Sequence, residues 1–342
     1  MRRADGLLML VRAIQCFHPN SGRETLMLRR FFITLGLGIA ILHGGSLQAQ
    51  DTGKKIPRLL VITESKGFVH SVVKRPAPDK FCLVEEALTR LGKETGDFEA
   101  VCSQDSRKEI TAENLAKYDA VFFYTTGDLP WSETQKADLL SFVRSGKGFT
   151  GSHCATDTFY GWTPYGDMIG GYFDGHPWHT KVKVMVEDTT NPATRHLGTS
   201  FEITDELYQF RTPYSRDKLR VLMRIDPSWA KERRLDEQRQ IDKRKADMLA
   251  KAAKLRDDGK TAEADKLTQE ADRSRPGIHR ADDDHALAWV RDYGKGRVFY
   301  TALGHRDEVW KDPRFLGHMR GGLQYAMGTA QGDAAPRPAP GK

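Results

Sequence analysis

The chain has 342 residues, 39% of them hydrophobic and 29% charged, which is enough apolar material for one large or two small globular domains and excludes a disordered chain. Its net charge of +7 does not imply a nucleic-acid partner. Residues 1–50 carry six arginines against Asp5 and Glu24, residues 230–280 carry 15 basic against 11 acidic side chains, and the remaining body is close to neutral. Beyond the first 50 residues only Cys82, Cys102 and Cys154 remain; their odd number and wide spacing exclude a disulfide scaffold and a CxxC zinc signature.

In chain order, MLRRFFITLGLGIAILHGGSLQAQ starts at Met27 with a basic pair, continues with an apolar run from Phe31 to Leu42 and ends in small and polar residues around Ala49. This is the layout of a secretory signal peptide, with an apolar run short for a membrane span. The expected natural start is Met27, with residues 1–26 an upstream extension. The mature exported chain is expected to begin at Gln50 or Asp51; an uncleaved anchor is the alternative. From residue 56, strand-like and helical runs alternate: RLLVIT (58–63), a helix over 79–94, FEAVC (98–102), a short helix from Thr111, DAVFFYTT (119–126), a helix over 132–146 capped by Ser132 and stopped at Gly146, and the strand KGFTGS. This rhythm predicts an α/β fold, a doubly wound and mostly parallel sheet over residues 56–328. Further strands are expected at 181–187, 219–225, 286–293 and 296–303, with a closing helix over 313–327. Residues 228–277 are densely charged, with apolar residues at helical spacing and a breaker at DDGK. They predict an inserted helical hairpin: either a solvated insertion or an arm that binds a partner or a second copy. The Pro- and Ala-rich residues 329–342 predict a disordered tail.

Ligands of doubly wound sheets bind outside the carboxyl ends of the parallel strands. Those ends carry Glu64 and His70, then Asp128, then His153, Cys154 and Asp157, then His305 and Arg306. A second polar cluster lies off the predicted strands, in GGYFDGHPWH and FEITDELYQF: His176, His179, Asp205 and Glu206. Imidazole serves general acid–base catalysis and metal ligation alike, and a neighbouring carboxylate can fix its tautomer.

GFVHSV, TTGDLPW, GKGFTGSHCATDTFYGW, GGYFDGHPWH, TDELYQF and AWVRDYGKGRVFYTALGHRDEVW, in that order, resemble the trehalose-utilisation (ThuA-like) family. The similarity covers about residues 56–226 and 278–328. It implies a flavodoxin-like domain of the class I glutamine-amidotransferase type, found in bacterial sugar metabolism and linked to disaccharides and 3-keto-sugars. In the amidotransferase relatives the turn after this strand reads Gly-x-Cys-x-Gly with a nucleophilic cysteine. Here the central place of Gly151–Ala155 holds His153, and Cys154 is displaced by one.

Three mechanisms follow. In the first, a hydrolase, lyase or isomerase acts on a disaccharide or keto-sugar, with His153, His179, His305, Glu206 and Asp205 as catalytic groups. Glu64, His70, Asp128, Asp157, His176, Trp178, Tyr208, Arg306 and Trp310 would line the sugar site. The three histidines 153, 179 and 305 could instead hold a divalent metal, zinc first. The second is a noncatalytic carbohydrate-binding or scaffold protein; the third is an amidase-like hydrolase that uses Cys154.

Overall fold

In the computed structural model, which describes residues 55–339, the runs of branched and aromatic residues become strands of one sheet. The expected leader lies outside the described residues. The elements are β1 (Arg58–Ile62), α1 (Leu83–Thr95), β2 (Glu99–Ser103), α2 (Ser106–Glu109), α3 (Ala112–Leu115), β3 (Ala120–Phe123), α4 (Glu133–Arg144), β4 (Gly148–Ser152), α5 (Thr163–Ile169), β5 (Tyr172–Phe173), β6 (Trp178–Val186), β7 (Ser200–Leu207), β8 (Phe210–Arg211), β9 (Arg220–Ile225), α6 (Pro227–Asp257), α7 (Thr261–Arg273), β10 (Ala286–Tyr293), β11 (Gly296–Thr301) and α8 (Pro313–Ala326). Nine strands form one sheet in the order β2-β1-β3-β4-β11-β10-β9-β6-β7, and β5 pairs with β8 apart from it. The first five run parallel; β10, β9, β6 and β7 extend the sheet with antiparallel pairings. The parallel strands are continuous apolar runs because helices cover both of their faces: Leu59–Ile62 and Ala120–Phe123 are fully buried. Helix α4 starts where its sequence signal lies, with Ser132 Oγ accepting the Gln135 N–H.

Two expectations need correction. FEITDELYQF is not off the strands: most of it is β7, paired with β6 so that His179 lies opposite Glu206 and Thr180 opposite Asp205. Alternation then puts His179 and Glu206 on one face and Asp205 on the other. The tail is not loose through residue 339 either. Arg220 pairs with Asp333 at 2.6 Å, Arg337 donates to the Glu187 carbonyl and Ala339 is buried. Composition alone does not reveal such charged anchors.

The charged insertion forms α6 and α7, turning at Gly259 with φ +75°. Ile241, Ala252, Ala264 and Ala271 are buried and give the hairpin an apolar seam, while Glu237 accepts the Gly277 N–H at its base (2.8 Å). The strands it interrupts are antiparallel neighbours, with Ile225 N–H donating to the His285 carbonyl (3.0 Å). A short turn can therefore replace the outer hairpin without straining the sheet. Replacing residues 242–273 by a Gly/Ser turn is expected to leave the cooperative melt of the body unchanged; a lowered melting temperature would assign the outer arm a role in the body.

Two buried imidazoles make stability pH-dependent. His318 on α8 donates from Nδ1 to the Ala193 carbonyl (2.8 Å). Burial, with His196 nearby, pushes it down to about 4 against the pull of that carbonyl. His285 is likewise brought to about 4, chiefly by burial and then by Arg280, with the aspartates at 282–284 opposing. Unfolded histidine titrates near 6.5, so between pH 6.5 and 4 the unfolded chain binds more protons. This stabilisation is complete above pH 6.5 and is lost as the pH falls toward 4. Urea melts at pH 7 and pH 4.5 should differ by roughly 2 kcal/mol for each of these groups, and an Asn at position 318 should remove its share of the slope.

Candidate active site

The loops after β1, β4 and β11 share one rim of the parallel sheet, and the end of β7 reaches the same place. His153 opens a 3-10 turn (His153–Thr156) immediately after β4, with φ +47°, a backbone conformation that costs a non-glycine residue about 1–3 kcal/mol. The surroundings hold it there. Its Nδ1–H donates to the Ala302 carbonyl (2.8 Å), its own carbonyl accepts the Tyr300 hydroxyl (2.6 Å), and its ring lies 4.1 Å from that of buried Tyr208. After β11 the chain turns at Gly304, φ +123°, where a Cβ would come within 2.7 Å of Ser152 Oγ. Asp205 fixes this turn from the far face of β7: its carboxylate accepts the N–H of Gly304 (2.7 Å) and of Arg306 (3.2 Å). Burial raises Asp205 above its ordinary value, against His153 and these backbone bonds.

Four side chains meet at the rim. Among the described residues, His70, His153, Glu206 and His305 each bring one nitrogen or oxygen to within 4.8 Å of the others. His153 Nε2 lies 3.2 Å from His305 Nδ1, and Glu206 Oε2 is 3.3 Å from each. Because a carbonyl only accepts, the proton of a neutral His153 sits on Nδ1, so its Nε2 presents a lone pair to Glu206 and His305. A proton on His305 Nδ1 donates into that lone pair, and a second proton on His153, or a cation, turns its contact with Glu206 into an attraction. Burial raises Glu206, but hydrogen bonds from His153 and His305 outweigh it and hold the carboxyl well below the usual carboxylate range. The hydrogen bond to Glu206, against partial burial, raises His305. Burial and the neighbouring His153 and His305 push His70 down to about 3, and its Nδ1 is buried without a partner.

The mouth carries two imidazoles, a guanidinium and an apolar ring. His176 Nδ1 is 3.5 Å from Glu206 Oε1; Arg306 Nη1 donates to His179 Nε2 (3.2 Å), and the His179 ring is 5.0 Å from that of His305. Phe68 is 65% exposed with its ring 4.8 Å from His70. One cleft, of about 680 Å³, is lined by Val69, Arg75 and Gln104 and another, of about 390 Å³, by Arg306, Lys181 and Thr204; none of the four converging side chains lines either.

The profile of the ThuA family, described as trehalose utilisation, matches residues 58–326. The chain belongs to the ThuA family. Two solved relatives share the fold: a ThuA-like protein from Bacteroides uniformis (18% identity, TM-score 0.53, 80% of this chain and 92% of that one) and one from Parabacteroides merdae (16%, 0.53, 84% and 94%). No curated protein matches the chain.

This ThuA-family site differs from the expected one in several residues. The converging set is His70, His153, Glu206 and His305, not His153, His179 and His305; His179 stands at the mouth. Asp205 is a positioning residue behind the cluster. Glu64 is consumed internally, accepting from the Ser106 N–H (2.8 Å) and pairing with Lys66 (2.8 Å). Asp157 accepts the Tyr160 hydroxyl, and Asp128 is exposed. Neither aromatic platform is available: Trp178 packs on Trp229 and His285, and Trp310 is fully buried with its Nε1–H on the Gly304 carbonyl (2.8 Å). Tyr208 forms the floor under His153. Two participants escaped the sequence reading, Phe68 and buried Tyr124, whose hydroxyl donates to the Gly304 carbonyl (3.0 Å). Their signal was position alone, Phe68 in the His70 motif and Tyr124 at the end of β3. Cys154 is fully buried, and burial, then the charge of Asp157, drives its thiol well above the ordinary value. A protonated, enclosed thiol is no nucleophile, which removes the ground for the amidase-like mechanism.

Proposed function

We propose that this ThuA-family protein is a sugar-active enzyme, a hydrolase, lyase or isomerase, that acts on a disaccharide or keto-sugar at the His70–His153–Glu206–His305 centre. The carrying observation is the convergence of His153 Nε2, His305 Nδ1 and Glu206 Oε2 within 3.3 Å of one another, from three separate strand ends. A noncatalytic sugar scaffold needs no such concentration of reactive groups. In this reading the cluster polarises a sugar hydroxyl or carbonyl, His176 and His179 exchange protons with solvent, Arg306 donates hydrogen bonds, and Phe68 offers an apolar face to the ring. Incubation with a panel of disaccharides and their 3-keto forms, followed by mass spectrometry, should yield a product from at least one. Binding without any product across the panel would favour the scaffold reading. We also propose export through the segment after Met27; secreted protein whose N-terminal sequence starts at Gln50 or Asp51 would support it, and cytoplasmic retention with that segment intact would not.

A further inference from the structure

We propose that His153, His305 and Glu206, with His70 beside them, form a binding site for one divalent cation of the zinc class. Zinc bonds to nitrogen and oxygen of 2.0–2.1 Å in a tetrahedron put neighbouring ligand atoms about 3.3 Å apart. The three edges of the triangle are 3.2, 3.3 and 3.3 Å. The three atoms thus already stand as one face of such a tetrahedron. Hydrogen bonds behind them are those a metal ligand needs: the Nδ1–H of His153 is held by the Ala302 carbonyl, which turns Nε2 inward as a lone pair, and the second oxygen of Glu206 lies 3.5 Å from His176. A cation also offers the His153 lone pair and the Glu206 carboxylate one positive centre to share. The nitrogen-rich set selects against magnesium and calcium, which take oxygen ligands. The His70 nitrogen, within 4.8 Å of the rest, closes the tetrahedron after a small movement or leaves the fourth position to a sugar oxygen.

This inference rests on the enzyme reading only for what the cation would do, which is to polarise a carbonyl or hydroxyl; its binding is measured without sugar. With the cation held, His153, His305 and Glu206 coordinate, and proton exchange stays with His176 and His179. The test uses untagged mature protein stripped with chelator, titrated with zinc chloride alone by calorimetry and checked by elemental analysis, together with the visible spectrum of the cobalt-loaded protein. One ion per chain and a four-coordinate cobalt spectrum are expected. Glu206→Gln and His305→Ala should weaken zinc binding by about 100-fold or more, and His179→Ala by less than threefold. A wild-type protein that binds no stoichiometric zinc, or binds it with an affinity unmoved by both ligand variants, overturns the proposal; the cobalt spectrum decides on wild type alone should His305→Ala not fold. Zinc bound here without sugar turnover would leave this inference standing and remove the enzyme reading. Turnover by metal-stripped protein that binds no zinc would do the reverse.

Discussion

Glu206→Gln is expected, on the proposed sugar-active reading, to lower turnover by about 10²–10³-fold, the usual cost of removing one preorganised polar group from a reacting centre, while the protein stays folded. Glu206 is the one carboxylate among the four converging side chains, and one of its oxygens faces both His153 and His305 at 3.3 Å. Glutamine keeps the volume but removes the charge against which those imidazoles are arranged. Because the bonds from His153 and His305 outweigh burial and hold the carboxyl below its usual range, the charge also contributes to stability, and the melting temperature should fall with its loss. The loss should fall on kcat more than on KM if Glu206 acts on the reacting atoms. A variant within threefold of wild type in kcat/KM would show that the cluster is not the reacting centre.

Asp205→Ala is expected to have the largest effect on stability and to damage activity indirectly. Its carboxylate is fully buried and accepts two backbone N–H groups, those of Gly304 and Arg306. Alanine strands both donors, at about 1–3 kcal/mol each, which lowers the melting temperature by roughly 5–10 °C in a chain of this size. The same bonds fix the turn that carries His305, so kcat should fall as well. Asparagine retains one acceptor oxygen and should recover part of both losses. Full stability and full turnover in Asp205→Ala would mean that the turn is held by other contacts, such as the Tyr124 and Trp310 bonds to the Gly304 carbonyl.

The parallel half of the fold is legible in the sequence because buried strands leave continuous apolar runs, as in RLLVI and AVFF, and because a polar residue that follows such a run lies at the rim. His153 and His305 were found in that way. The antiparallel half was harder to read. TDELYQF places acidic groups on both faces of β7, so its alternation does not resemble that of a half-buried strand, and the pairing that sets Glu206 opposite His179 depends on a partner some 25 residues away. Residue type also does not say whether a rim group faces the ligand or the protein. Glu64, Trp178 and Trp310 are all near the expected site, yet each satisfies an internal partner. His70 is among the residues expected to line the sugar, and only the fold brings it beside His153 and His305.

On the proposed reading, groups from distant strand ends act on a single sugar at one mouth. A crystal structure of Glu206→Gln with a bound 3-keto disaccharide tests it most directly. The expected result is a sugar ring whose oxygens lie within hydrogen-bond reach of His305 and the inner cluster, with Arg306 or His179 alongside. A ring seated instead in the outer cleft by Arg75 and Gln104, out of reach of all four converging side chains, would contradict it.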